Sequence, residues 1–105
     1  MTDHVVVLIT APAEEEAGKI AHALVTGRLA ACVNIVKNVR SVYRWQGKVE
    51  DEAEVLMIAK TRRSLVAALA ARVKELHSYT VPEVIALPIV EGAGDYLGWL
   101  GEETS

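Results

Sequence analysis

The stretch that most constrains the fold runs from Ser41 to Lys60, SVYRWQGKVEDEAEVLMIAK. Side chains of a strand point to opposite faces in turn, so in Val42-Tyr43-Arg44-Trp45-Gln46 the two aromatics share one face and Arg44 and Gln46 the other. After Gly47 the run Glu50-Asp51-Glu52 has too much like charge for a core and reads as a charged bend. Val55-Leu56-Met57-Ile58-Ala59 is then apolar at every position, as a strand covered on both faces must be. A long hairpin is expected, and the rest of the chain has to support it.

At 105 residues the chain is expected to form one domain, 1–105, with a modest core. Hydrophobic residues make up 51% and charged residues 24%, which excludes intrinsic disorder. The net charge of −3 comes without any basic run, so nucleic acid is not expected as a partner. Cys32 is the only cysteine, which excludes a framework of internal disulfides. The start, MTDHVVVLITAP, lacks the basic flank of a signal peptide, and its apolar run is too short to span a membrane. A cytoplasmic protein without membrane attachment is the expectation.

Elsewhere the pattern is regular. Val5-Val6-Val7-Leu8-Ile9 reads as a buried central strand. Pro12 and the acids Glu14, Glu15 and Glu16 favour a helix start, since a first-turn proline loses no bond and acids face the positive end of the dipole. Ala17, Ile20, Ala21 and Leu24 form one stripe, and Gly27 is a natural stop in the left-handed conformation, so a helix is expected from about Pro12 to Thr26. Strands are expected over 29–37 and 39–49, or as one long bent strand, with the return over 53–61. Leu65, Val66, Leu69, Val73 and Leu76 share a face of a second helix over about 64–76, with Thr61 or Ser64 able to cap it. Val84 to Val90 reads as a last strand, placed at an edge by Pro88, and Gly92 to Asp95 opens a short terminal helix.

The order β-α-β-β-α-β plus a short helix predicts an α+β, ferredoxin-like sandwich with two helices on one face of an antiparallel sheet. Its strands are apolar at nearly every position, so the second face is expected to be covered by another copy of the chain.

Motifs for conventional chemistry are absent. Neither G-x-x-x-x-G-K-[ST] nor G-x-G-x-x-G occurs, there is no C-x-x-C, no Phe, and no arginine in the loop after the first strand. No enzyme activity and no required cofactor are expected. The residues left to carry function are His77, Cys32, Tyr79, Trp45, Lys60, Glu54 and Glu83. Lys60, a charge ending an apolar run, needs an acid such as Glu54 or Glu83, or a place at the edge of a cleft.

Six blocks then carry a resemblance: Thr10-Ala11-Pro12, Ala30 to Ile35, Ser41 to Lys48, Glu54 to Thr61, His77 to Glu83, and Tyr96-Leu97-Gly98-Trp99-Leu100. In this order they resemble the CutA divalent-cation-tolerance family, over nearly the whole chain. The resemblance implies a cytoplasmic homotrimer similar in assembly to PII signalling proteins, with hairpins paired between subunits. It also implies a part in the response to metal ions and clefts between subunits lined by Trp45, Glu54, Lys60, His77, Tyr79 and Glu83. Copper-binding relatives carry a cysteine where this chain has Ile9 and a second histidine where it has Leu76, leaving His77 and Cys32 as metal candidates. One imidazole per subunit implies at most weak binding of Cu(II) or another divalent cation. The alternatives are a PII-like trimer binding a small anion at Lys60 and Arg44, and a scaffold for an unknown partner protein.

Overall fold

Residues 2–105 are described in a computed structural model of the chain. The elements run β1 (His4–Ala11), α1 (Glu14–Thr26), β2 (Cys32–Trp45), β3 (Lys48–Arg62), a 3-10 turn (Arg63–Leu65), α2 (Val66–Leu76), β4 (Val84–Pro88) and α3 (Gly94–Glu103). The strands pair antiparallel in the order β2-β3-β1-β4, which is the ferredoxin-like α+β arrangement. Pro88 lies on the edge strand β4, where a missing donor costs no internal ladder bond.

The core lies between the sheet and the pair α1 and α2. Val5, Val7, Ile9 and Ala11 of β1 and Val55, Met57 and Ala59 of β3 meet Ala17, Ile20 and Leu24 of α1 and Leu69 and Val73 of α2. Each large side chain among them contributes roughly 1.5–3 kcal/mol when buried. On the opposite face Leu8 stands level with Ile58 and Ile85, and Val6 with Leu87. There Val36, Ile85 and Leu87 remain exposed. α3 is fastened at one end of the sheet. Arg62 donates to Gly101 O at 2.6 Å and to Thr104 Oγ1 at 3.1 Å, while Arg28 Nη2 donates to Glu102 O at 2.7 Å. Cations at the carbonyl end of a helix are favourably placed.

Several local expectations are corrected. α1 begins at Glu14, after Pro12 and an extended Ala13. Gly27 does end it, but with φ −81°; the left-handed residue is Arg28, at φ 59°. α2 has no side-chain cap: Thr61 Oγ1 donates instead to Leu29 O at 2.7 Å, and Ser64 lies in the 3-10 turn before the helix. The hairpin turns at Gln46-Gly47, both at positive φ, so Trp45 pairs with Lys48 in a two-residue connection whose twist suits the strands. Glu50, Asp51 and Glu52 therefore lie in β3 rather than in a bend. Their strand is exposed there, and Arg40 holds Asp51 through two bonds of 2.8 and 2.6 Å.

β2 is the single bent strand, and its bend decides which side chains reach the site. Val36 pairs with Leu56 but Val39 with Glu54, so β2 spends three residues where β3 spends two. The extra residue makes a bulge at Lys37-Asn38, with Asn38 in the left-handed region at φ 63°. Before the bulge, even-numbered residues Asn34 and Val36 share the face of Ile58 and Leu56; after it, odd-numbered Ser41, Tyr43 and Trp45 share the face of Glu54. Without this shift Arg40, Val42 and Arg44 would face Glu54 instead.

Candidate functional site

Where α2 ends, a short polar relay ties the loop to the sheet. The His77 side chain is fully buried. Its Nε2 lies 2.7 Å from Thr10 O, and the Tyr79 N–H reaches its Nδ1 at 3.0 Å. A carbonyl only accepts and an N–H only donates, so the proton sits on Nε2 and both ring nitrogens are engaged. The rings of His77 and Tyr79 pack at 4.7 Å between centroids. Glu16 Oε2 lies 3.3 Å from Nδ1 and accepts from both the N–H and the hydroxyl of Ser78.

This arrangement aims Tyr79 at Glu54. Tyr79 Oη donates to Glu54 Oε2 at 2.6 Å. Burial, then the bond to Glu54, push the Tyr79 hydroxyl well above its ordinary pKa, which keeps it a donor. Glu54 is only 7% exposed, and among the described residues no Lys, Arg or His pairs with it. Alongside, Tyr43 donates to Glu52, and that bond, then burial, raise its pKa to about 12.

A cavity of about 680 Å³ opens between the hairpin and the 78–83 loop. Trp45, Glu54, Tyr79 and Glu83 line it, with Tyr43, Ser41 and Thr10. Four of the residues singled out in the sequence are thus brought together. Lys60, His77 and Cys32 are not in its wall. Lys60 meets Asn34 rather than Glu54 or Glu83. Cys32 stands opposite Lys60, and Lys60 is four positions along β3 from Leu56, the partner of Thr10; at 3.3 Å per residue that is about 13 Å from the His77 anchor. Its Sγ lies 3.7 Å from Tyr96 Oη. Within one chain, His77 and Cys32 are thus set apart rather than brought together. Among the described residues no group of three or more His, Cys, Asp or Glu could hold an ion.

Sequence reasoning missed Thr10, Ser41 and Glu16. Glu16 was legible only as a first-turn helix acid, and Thr10 acts through its backbone carbonyl, which leaves no signature in a sequence.

The fold and this cleft define the class: a ferredoxin-like α+β domain with an acidic, aromatic cavity beneath a long hairpin. Residues 5–103 match the sequence profile of the family described as "CutA1 divalent ion tolerance protein". The divalent-cation tolerance protein CutA of Thermus thermophilus is 58% identical over 99 residues, covering 94% of this chain and 96% of that protein. Human protein CutA is 49% identical over 96 residues, covering 91% of this chain and 54% of its own length. The solved structure of the Thermus thermophilus protein superposes with a TM-score of 0.95 at 56% identity, covering 97% of this chain and 99% of that one. CutA from Xylella fastidiosa superposes with a TM-score of 0.96 at 38% identity, covering 99% and 100%. The chain belongs to the CutA divalent-cation tolerance family. It spans nearly the full length of the Thermus relative and about half that of the mammalian one. No helix among the described residues is long and apolar enough to cross a membrane.

Proposed function

We propose that the chain works in divalent-cation tolerance as a cytoplasmic, non-enzymatic homotrimer of PII-like assembly, whose working site is the cleft of Trp45, Glu54, Tyr79 and Glu83. The observation that carries this is Glu54: a carboxylate 7% exposed, on a cavity wall, with no cation against it among the described residues. A buried charge left without a countercharge is costly, and a site that binds cations has a use for one. Assembly with further copies is supported by Val36, Ile85 and Leu87 on the open sheet face and by Val42 and Val49 on the hairpin, all apolar and exposed in the single chain.

Weak Cu(II) or other divalent metal binding falls to His77 beside this cleft. Glu16 Oε2, 3.3 Å from Nδ1, supplies the carboxylate such a site needs. A metal there displaces the Tyr79 N–H from Nδ1 and disturbs the bond to Glu54, so metal occupancy and cleft geometry are coupled. The small-anion alternative has less support, since Lys60 meets Asn34 and neither Lys60 nor Arg44 lines the cavity.

The test is a calorimetric titration of chelator-treated protein with Cu(II) and Zn(II), after its mass has been fixed by light scattering. Saturable binding at a simple ratio to trimer, lost in His77→Ala, is the expected result. No heat from a clean trimer would remove the metal site.

A further inference from the structure

We infer that the cavity between the hairpin and the 78–83 loop binds a small organic cation carrying N–H donors, an alkylammonium or a guanidinium. This deepens the reading of the cleft as the working site and rests on it.

The cavity's polar groups are matched to such a ligand. Its two tyrosine hydroxyls already donate, Tyr43 to Glu52 and Tyr79 to Glu54, and Ser78 donates to Glu16. Neither tyrosine readily ionises to a competing anion, since the Glu52 bond raises Tyr43 and burial raises Tyr79. Glu54 uses Oε2 for Tyr79 and among the described residues has no hydrogen bond to Oε1, and Glu83 adds a second carboxylate to the wall. Among the described residues of one chain, no Lys, Arg or His lines the space. What it lacks is a positively charged donor.

The apolar part of the wall selects among cations. Trp45, Tyr43 and Tyr79 present three aromatic rings, and an aromatic face attracts an alkylammonium or guanidinium placed within about 6 Å of it. A hydrated divalent ion gains little from rings and needs several oxygen ligands, whereas the described residues hold no group of three or more ligating side chains. A fixed quaternary ammonium would use the rings but leave Glu54 Oε1 without a donor. At about 680 Å³ the cavity takes a ligand well beyond a single ion in size.

The bulge at Asn38 makes this possible, because it turns Tyr43 and Trp45 onto the face of Glu54. Carboxylate and rings come from two strands whose alternation would otherwise separate them.

The experiment titrates the full chain, its mass checked by light scattering, with n-butylammonium, butylguanidinium, tetramethylammonium, n-butanol and butyrate by calorimetry at constant ionic strength. The two N–H cations are expected to saturate with Kd on the order of 1 mM, and the neutral, anionic and quaternary probes to bind at least about tenfold more weakly. Glu54→Gln, which keeps the shape and removes the charge, is expected to weaken butylammonium at least about tenfold. Equal binding of n-butanol or butyrate, unchanged affinity in Glu54→Gln, or no saturation in an intact trimer overturns the proposal. Should Glu54→Gln fail to fold, Glu83→Gln and the comparison of charged and neutral probes on the parent still decide it. A titration with Cu(II) on the same preparation keeps the outcomes apart: metal binding without amine binding overturns this inference alone.

Discussion

The two halves of the sheet are built on different principles. Around β1 and the second half of β3, every other side chain is sealed under α1 and α2: Val7, Ile9, Met57 and Ala59 are fully buried. Along Val39 to Ala53 the outer part of β2 and the first part of β3 run on without any helix, and Val42 and Val49 stand 62% and 64% exposed. The first half is self-sufficient within one chain. The second is a two-stranded ribbon, and such ribbons are marginal in water unless something packs on them. The chain completes its core alone, and its hairpin and open face are the apolar surfaces that the proposed assembly would cover.

The comparison breaks most visibly in the packed half. Leu69→Ala should cost about 2–5 kcal/mol through the cavity it leaves, lowering the melting midpoint and the helical circular dichroism together. Next comes the hairpin. Trp45→Ala removes a side chain 44% exposed in one chain, so a monomer would lose only part of its full burial energy. If the hairpin is covered in the assembly, the loss approaches roughly 1.5–3 kcal/mol per chain and shows as dissociation on dilution with the helices intact. Unchanged mass and unchanged melting would place the hairpin outside the interface.

Smaller effects sharpen the picture at the bulge. Asn38→Val should cost roughly 1–2 kcal/mol, because a β-branched residue resists φ 63°, while Asn38→Gly should be nearly neutral in chemical denaturation. Above pH 10, Tyr43 should lose the stability its bond to Glu52 supplies. Its folded pKa, about 12, lies above the unfolded value of 10, so that contribution is complete below pH 10 and is lost as pH rises toward 12. Ultraviolet titration of the phenols should show Tyr43 ionising late, and Tyr43→Phe should remove that step. Arg40→Ala should be smallest of all, leaving the melting midpoint unmoved, because its pair with Asp51 is exposed and screened.

Much of this was legible in the residues. Alternation through Val42 to Trp45 put Tyr43 and Trp45 on one face, Pro88 marked an edge, and the two helical stripes fixed the layers. Hidden were features that depend on register or on backbone atoms. The break expected at residue 38 marked a bend in one long strand, but the register shift there, which sets the face of the aromatics, left no pattern. Glu54 stood out as a possible partner for Lys60 and a cleft position, but its burial and its bond to Tyr79, which depend on strand parity and on the 78–83 loop, did not. His77 stood out at the end of a helix, but Thr10 O and the Tyr79 N–H, which hold its ring, are backbone groups.

The most direct measurement is the mass of the purified chain by light scattering across a dilution series. The account predicts a species of three times 11.4 kDa that persists until the protein is dilute and that Trp45→Ala destabilises. A folded particle of 11.4 kDa at every concentration would contradict it, since the exposed hairpin and open sheet face would then stand in water without a partner.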